Sequence, residues 1–147
     1  MPNLVVAPVI HVGEIRILDG DTLEATRRVL YSVARVVSVS AWDLPAICGE
    51  EVSDVEALKR AAGTLRSQGA RAVLVTGAAC RGQALDLLDD EGKIEIFDAS
   101  PVPVPLPGGM YGARSAALAA HLARGDDLPR AVDAAQRYVG FRLMRGR

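Results

Sequence analysis

Three short β-branched and leucine-rich runs, Leu4 to Ile10, Arg35 to Ser40 and Arg71 to Thr76, alternate with two segments that open on helix-capping sequences. This alternation constrains the fold more than any single motif. Val36, Val37 and Val39, like Val73, Leu74 and Val75, are apolar on both sides of a two-residue period. That is the signature of a strand buried on both faces. Between the runs, Asp21-Thr22-Leu23-Glu24 reads as a capping box with Asp21 as N-cap and Glu24 at the reciprocal position. The helix it opens carries Leu23, Thr26, Leu30 and Val33 on one face. Ser53-Asp54-Val55-Glu56 reads as a second capping box, and its helix buries Val55, Leu58, Ala62 and Leu65 before stopping at Gly69. Strand, helix, strand, helix, strand predicts right-handed βαβ units and a parallel sheet, with Gly77 ending the third strand.

The pattern then changes. Ala84 to Leu88 and Lys93 to Phe97 flank Asp89-Asp90-Glu91-Gly92 and predict an antiparallel hairpin on the sheet edge with a solvated acidic tip. Residues 100 to 107 alternate serine, valine and leucine with proline, which supplies no N–H, so this is an extended connector rather than a central strand. Two helices follow, from about Gly112 to Ala123 and from Leu128 to Leu143, with Asp127 as N-cap of the second. No internal repeat and no domain boundary is visible, so residues 1–147 are expected to form one domain.

Composition narrows the function classes. Half the residues are hydrophobic and 24% are charged, which excludes a disordered chain. The net charge of −1 provides no basic field for nucleic acid, and Arg142, Arg145 and Arg147 read as a solvated tail. Cys48 and Cys80 are isolated, so they fit small apolar fillers in a reduced, cytoplasmic setting better than a disulfide or zinc framework. No basic-then-apolar leader and no long apolar run is present, so neither export nor a membrane partner is expected.

The candidate ligand site is Pro107-Gly108-Gly109-Met110-Tyr111-Gly112-Ala113, a glycine-rich loop running into an alanine-rich helix. Such a loop aims free N–H groups and the positive end of a helix dipole at one point, which suits phosphate. Gly108 to Gly112 contain no side chain suited to moving a proton. Other candidates are weaker. His11 and Glu14 have the H-x-x-E spacing of a metal pair, although a solvated loop histidine fits better. Trp42 either stacks on a ligand ring or simply packs. His121 lies among alanines and reads as a half-buried packing residue.

The whole series resembles the C-terminal half of the ribokinase-like superfamily, nearest to the hydroxymethylpyrimidine/phosphomethylpyrimidine kinases with pyridoxal kinases as relatives. Val5-Val6-Ala7-Pro8-Val9 resembles a V-x-D-P-V strand, and Leu18-Asp19 the segment after it. Ser40-Ala41-Trp42-Asp43 stands where the family has N-x-x-E. Ala72 to Gly77 resembles a V-L-V-K-G strand end, and Ala119 to Gly125 with Ala131-Val132 resembles the closing helices. The resemblance implies a three-layer α/β fold with a mostly parallel sheet, an antiparallel edge hairpin and an absent N-terminal half. It implies ATP and Mg²⁺, with Gly77, Gly108, Gly109, Gly112 and Ala113 toward the nucleotide and Asp43 toward the metal. It also implies phosphoryl transfer to a hydroxymethyl heterocycle.

The departures are chemical. The family loop reads G-T-G-C or G-T-G-D, and an Asp at its fourth position is a general base worth roughly 10²–10⁴ in rate. Matching the closing helix places Gly109, Met110, Tyr111 and Gly112 on those four positions. Ala7 replaces the Asp of D-P-V, Ser40 replaces the Asn, and Thr76 replaces the Lys. Asp43 alone keeps an acidic group. The expectation is a kinase relative with a degenerate catalytic motif; the alternative is a non-catalytic nucleotide-binding or assembly module. With the first half of the fold absent, Leu4 to Ile10 is expected to have one side unpaired and to be covered by a second copy or a separate chain.

Overall fold

The computed structural model describes residues 3–99 and 110–145. A five-stranded sheet runs in the order β1 (Val5–Val6), β4 (Val36–Ser40), β5 (Ala72–Cys80), β6 (Gln83–Asp90), β7 (Lys93–Asp98). β1, β4 and β5 are parallel, with Val6 beside Val37 and Val39 beside Val75. β6 and β7 are antiparallel additions, so the mixed sheet and its edge hairpin are as expected. A separate two-stranded hairpin, β2 (His11–Val12) with β3 (Ile15–Arg16), precedes α1 (Gly20–Leu30).

Helices cover both faces of the sheet. On one side α2 (Leu44–Cys48) and α3 (Val55–Ser67) pack Leu44, Leu58, Ala61, Ala62 and Leu65 onto Val37, Val39, Val73, Val75 and Leu87, with Leu30 of α1 against the same cluster. On the other, α4 (Met110–Ala123) and α5 (Leu128–Arg145) pack Leu118, Leu122, Leu128, Ala131 and Val132 onto Val36, Leu74 and Leu88. Consecutive residues of β4 and β5 therefore serve opposite cores, which is why these runs are apolar without alternation. The result is the three-layer α/β architecture.

Several local expectations are corrected. Only Val5 and Val6 of the Leu4–Ile10 run form a strand, because Pro8 has no N–H to continue a ladder. The N-cap of α1 is Asp19, whose carboxylate accepts the Thr22 N–H at 2.7 Å, while Asp21 sits inside the first turn and Glu24 pairs with Arg27. Val33 lies beyond α1 and is exposed. The cap of α3 is Asp54 rather than Ser53, accepting from Ala57 N at 2.8 Å. β5 does not end at Gly77 but runs on to Cys80 and turns through Arg81-Gly82 into β6. Arg81 and Gly82 both have positive φ, as do Glu91 and Gly92 in the next turn, the backbone that matches the twist of a two-residue hairpin. The acidic tip is largely structural. Asp89 is buried, caps Gly92 N at 2.8 Å and faces Arg66, while Asp90 pairs with Arg35 at 3.0 Å.

β1 is an edge strand of this sheet, bordered by β4 alone among the described residues. Leu4, Val12, Ile15, Ile17 and Val29 are exposed apolar side chains on the chain's first three strands, their connections and α1. Among the described residues, no helix is long and apolar enough to cross a membrane.

Candidate functional site

A small cleft lies beyond the carboxyl ends of the parallel strands. Open α/β sheets place ligands at that end because the helices diverge there. Ala7, Pro8 and Val9 follow β1, Ser38 to Ser40 end β4, Asp43 lies in the single 3-10 turn after it, and Thr76 comes from β5. Tyr111, Arg114 and Ser115 close the cleft from the start of α4. The positions at which the chain departs from the resembled motifs thus converge: Ala7, Ser40, Asp43, Thr76 and Tyr111 share one wall-to-wall space, with Gly112 exposed on the adjoining turn of α4. Ser40 Oγ accepts the Trp42 N–H at 3.2 Å, and stands 3.5 Å from the Tyr111 hydroxyl.

Asp43 is 5% exposed, and its Oδ1 accepts from His11 Nδ1 at 2.7 Å. His11 therefore pairs with Asp43 and not with Glu14, which is exposed in the β2–β3 turn; the H-x-x-E reading is overturned. Among the described residues no group of three or more His, Cys, Asp or Glu can hold a metal. A single carboxylate still suits Mg²⁺, which keeps several waters and completes its shell with phosphate oxygens.

Gly77 does not mark a bare strand end. Val75 pairs with Leu87 and Ala78 with Leu85, so Thr76 and Gly77 together oppose the single residue Asp86. This is a β-bulge, and Gly77 takes φ +71°, a conformation open to glycine without a Cβ penalty. The bulge leaves the Gly77 N–H without a strand partner, and Asp86 Oδ1 accepts it at 2.8 Å. Asp86 is 1% exposed and also takes Gln136 Nε2 at 3.3 Å. Burial pushes its carboxyl above the ordinary value, against the opposing pull of Arg114 and the two hydrogen bonds.

Gly108 and Gly109, half of the expected phosphate loop, lie outside the described residues, as does the proline connector. Gly112 and Ala113 are in the first turn of α4, and a Cβ on Gly112 would meet nothing within 4 Å among the described residues. Trp42 is 54% exposed beside the cleft's edge residues. His121 is half-buried and bonded to Asp126 at 2.7 Å at the far end of α4. Burial raises the thiols of Cys48 and Cys80, as suits packing residues.

Arg114 was not legible as a site residue, nor was Asp86. Their signal is nevertheless in the spacing. Arg114 stands four residues before Leu118 and eight before Leu122, on the buried stripe of α4, and Asp86 stands two before Leu88 on the same face of β6.

The sequence matches the family model described as phosphomethylpyrimidine kinase over residues 1–145. The hydroxymethylpyrimidine/phosphomethylpyrimidine kinase of Streptomyces coelicolor is 32% identical over 123 residues, 84% of this chain and 46% of that protein. Among solved structures, an ADP complex of Bacillus subtilis pyridoxal kinase aligns with a TM-score of 0.75 at 26% identity, covering 92% of this chain and 50% of that one. Staphylococcus aureus pyridoxal kinase in complex with AMP-PCP aligns with a TM-score of 0.78 at 26% identity and the same coverage. The chain spans about half the length of the relatives it matches.

Proposed function

Because this chain belongs to the phosphomethylpyrimidine kinase family, we propose that it carries the nucleotide side of a kinase-type site and lacks, on its own, the group that takes the acceptor's proton. The substrate class of the reading is ATP with a hydroxymethyl-bearing heterocycle of the thiamine or vitamin B6 type. The observation that carries it is the convergence of Ala7, Ser40, Asp43, Thr76 and Tyr111 on one cleft, with Gly112 next to Tyr111 in the first turn of α4.

Phosphoryl transfer asks a protein for positioning and for neutralisation of phosphate charge. The start of α4 offers the positive end of a helix dipole toward phosphate. Asp43 would hold Mg²⁺, which when bound shields phosphate charge; His11 fixes one of the two carboxylate oxygens. Ser40 and Thr76 supply neutral hydroxyls where the resembled motifs have an amide and an ammonium, so they orient but do not neutralise. No side chain at Gly112 can accept a proton.

The test is a pair of assays on one preparation. Titration with AMP-PCP and Mg²⁺ is expected to give saturable binding. Phosphotransfer from ATP to hydroxymethylpyrimidine or pyridoxal is expected to give no product. The reading also has the open β1 edge covered by a second copy of the chain or by a separate chain, supported by the exposed apolar side chains near it.

A further inference from the structure

We propose that Arg114 is an oxyanion ligand of the cleft, its guanidinium acting with the first turn of α4 to receive phosphate oxygens. The inference deepens the reading above and rests on it for the nucleotide, though not for phosphate itself.

Arg114 has a side chain only 7% exposed, yet it makes no hydrogen bond among the described residues. Its Nε is enclosed and, among the described residues, without an acceptor. The nearest opposite charge is Asp86 Oδ2, 3.9 Å from one terminal nitrogen, too long for a hydrogen bond. Asp86 meanwhile is engaged elsewhere, by the Gly77 N–H at 2.8 Å and by Gln136 at 3.3 Å. The carboxylate offsets the charge of the guanidinium without filling its donors.

A guanidinium has five N–H donors in a fixed plane, and burying the Nε donor of Arg114 unfilled is costly. Packing does not demand the charge, because the neighbouring stripe positions on α4 are Leu118 and Leu122, both buried. The side chain borders the cleft on one side and, on the other, a groove lined by Asp98, Gln136 and Phe141. What the fork is shaped to take is a planar pair of anionic oxygens. The start of α4, a helix of 14 residues, favours the same charge. Phosphate satisfies both at once, since it presents several acceptor oxygens to the fork and to the helix terminus.

The test is calorimetric titration with pyrophosphate and, separately, with ADP. The main variant is Arg114→Leu combined with Asp86→Asn, which removes both buried charges and strands neither. The wild type is expected to bind both probes, and the double variant to bind each roughly tenfold more weakly or worse while its melting midpoint does not fall. Should the double variant not fold, Arg114→Lys decides: a weaker affinity at an unchanged melting midpoint supports the assignment, and an unchanged affinity overturns it. A folded double variant with wild-type affinity overturns it too, as does a wild type that binds neither probe. Pyrophosphate binding that depends on Arg114, without ADP binding, keeps the oxyanion site and removes the nucleotide reading. ADP binding indifferent to Arg114 does the reverse.

Discussion

His11 Nδ1 donates to Asp43 Oδ1 at 2.7 Å, joining the β2–β3 hairpin to the turn after β4 at the rim of the cleft. The pair links an element outside the main sheet to the acidic residue of the candidate site. His11→Ala leaves the carboxylate of Asp43 buried with that oxygen unpartnered, and a loss of about 1–3 kcal/mol in urea-unfolding free energy is expected. A loss below about 0.5 kcal/mol would show that water serves the carboxylate as well as His11 does.

Asp86 predicts a pH dependence of definite sign. Its folded-state carboxyl is raised above the ordinary 3.8 by burial, with Arg114 of α4, the Gly77 N–H of β5 and Gln136 of α5 pulling the other way. A raised folded value means that the unfolded chain releases this proton first as pH rises. The group's contribution to stability is therefore full below 3.8 and declines as pH climbs through the raised folded value. The stability of the wild type minus that of Asp86→Asn should fall as pH rises from the carboxylate range toward neutrality. Chemical denaturation at a series of pH values reads this directly, and a difference that grows with pH would contradict it.

Gly112→Asp tests the open space on α4. Among the described residues a Cβ there meets nothing within 4 Å, and an acidic residue in a helix's first turn is favoured by the dipole. The variant is expected to gain about 0.5–1 kcal/mol, since it also removes a glycine from helical backbone. A lower melting midpoint would mean that the position is crowded.

The edge at β1 bears on assembly. Among the described residues Val5 and Val6 pair on one side only, with Val36 and Val37, and Val12, Ile15 and Ile17 are exposed in the segment that follows. Light scattering at increasing concentration is expected to show self-association, or capture of a separate chain when one is supplied. A well-behaved monomer at high concentration, with no complex formed, would contradict the covered edge.

Much of the scaffold was legible in the sequence where burial is two-sided or periodicity is long. Val36 to Val39 and Ala72 to Val75 declare buried strands because both of their faces meet helices. α3 and α5 show their apolar stripes over 13 and 18 residues. Short elements left no such record. The hairpin at His11–Arg16 has two-residue strands, and α2 has five residues, too few for a period to show. The Arg81-Gly82 turn was missed because Arg is not a residue that ordinarily declares positive φ. Asp21 reads as the cap in place of Asp19 because a glycine at the first helical position masks the true start. At the site, Asp43 and the Gly112 gap could be read from motif positions. The Asp86–Arg114 arrangement could not, because it depends on a bulge that sets two residues of β5 against one of β6. A glycine at a strand's apparent end can mark either a stop or such a bulge.

The measurement that tests the central claim most directly is phosphotransfer from ATP to hydroxymethylpyrimidine with Mg²⁺, on the wild-type chain, at nucleotide concentrations that saturate AMP-PCP binding. Nucleotide held by α4 with no proton acceptor at Gly112 predicts no phosphorylated product above the enzyme-free control. Turnover in the ordinary kinase range of about 1–100 s⁻¹ would contradict it, by showing that another group takes the proton.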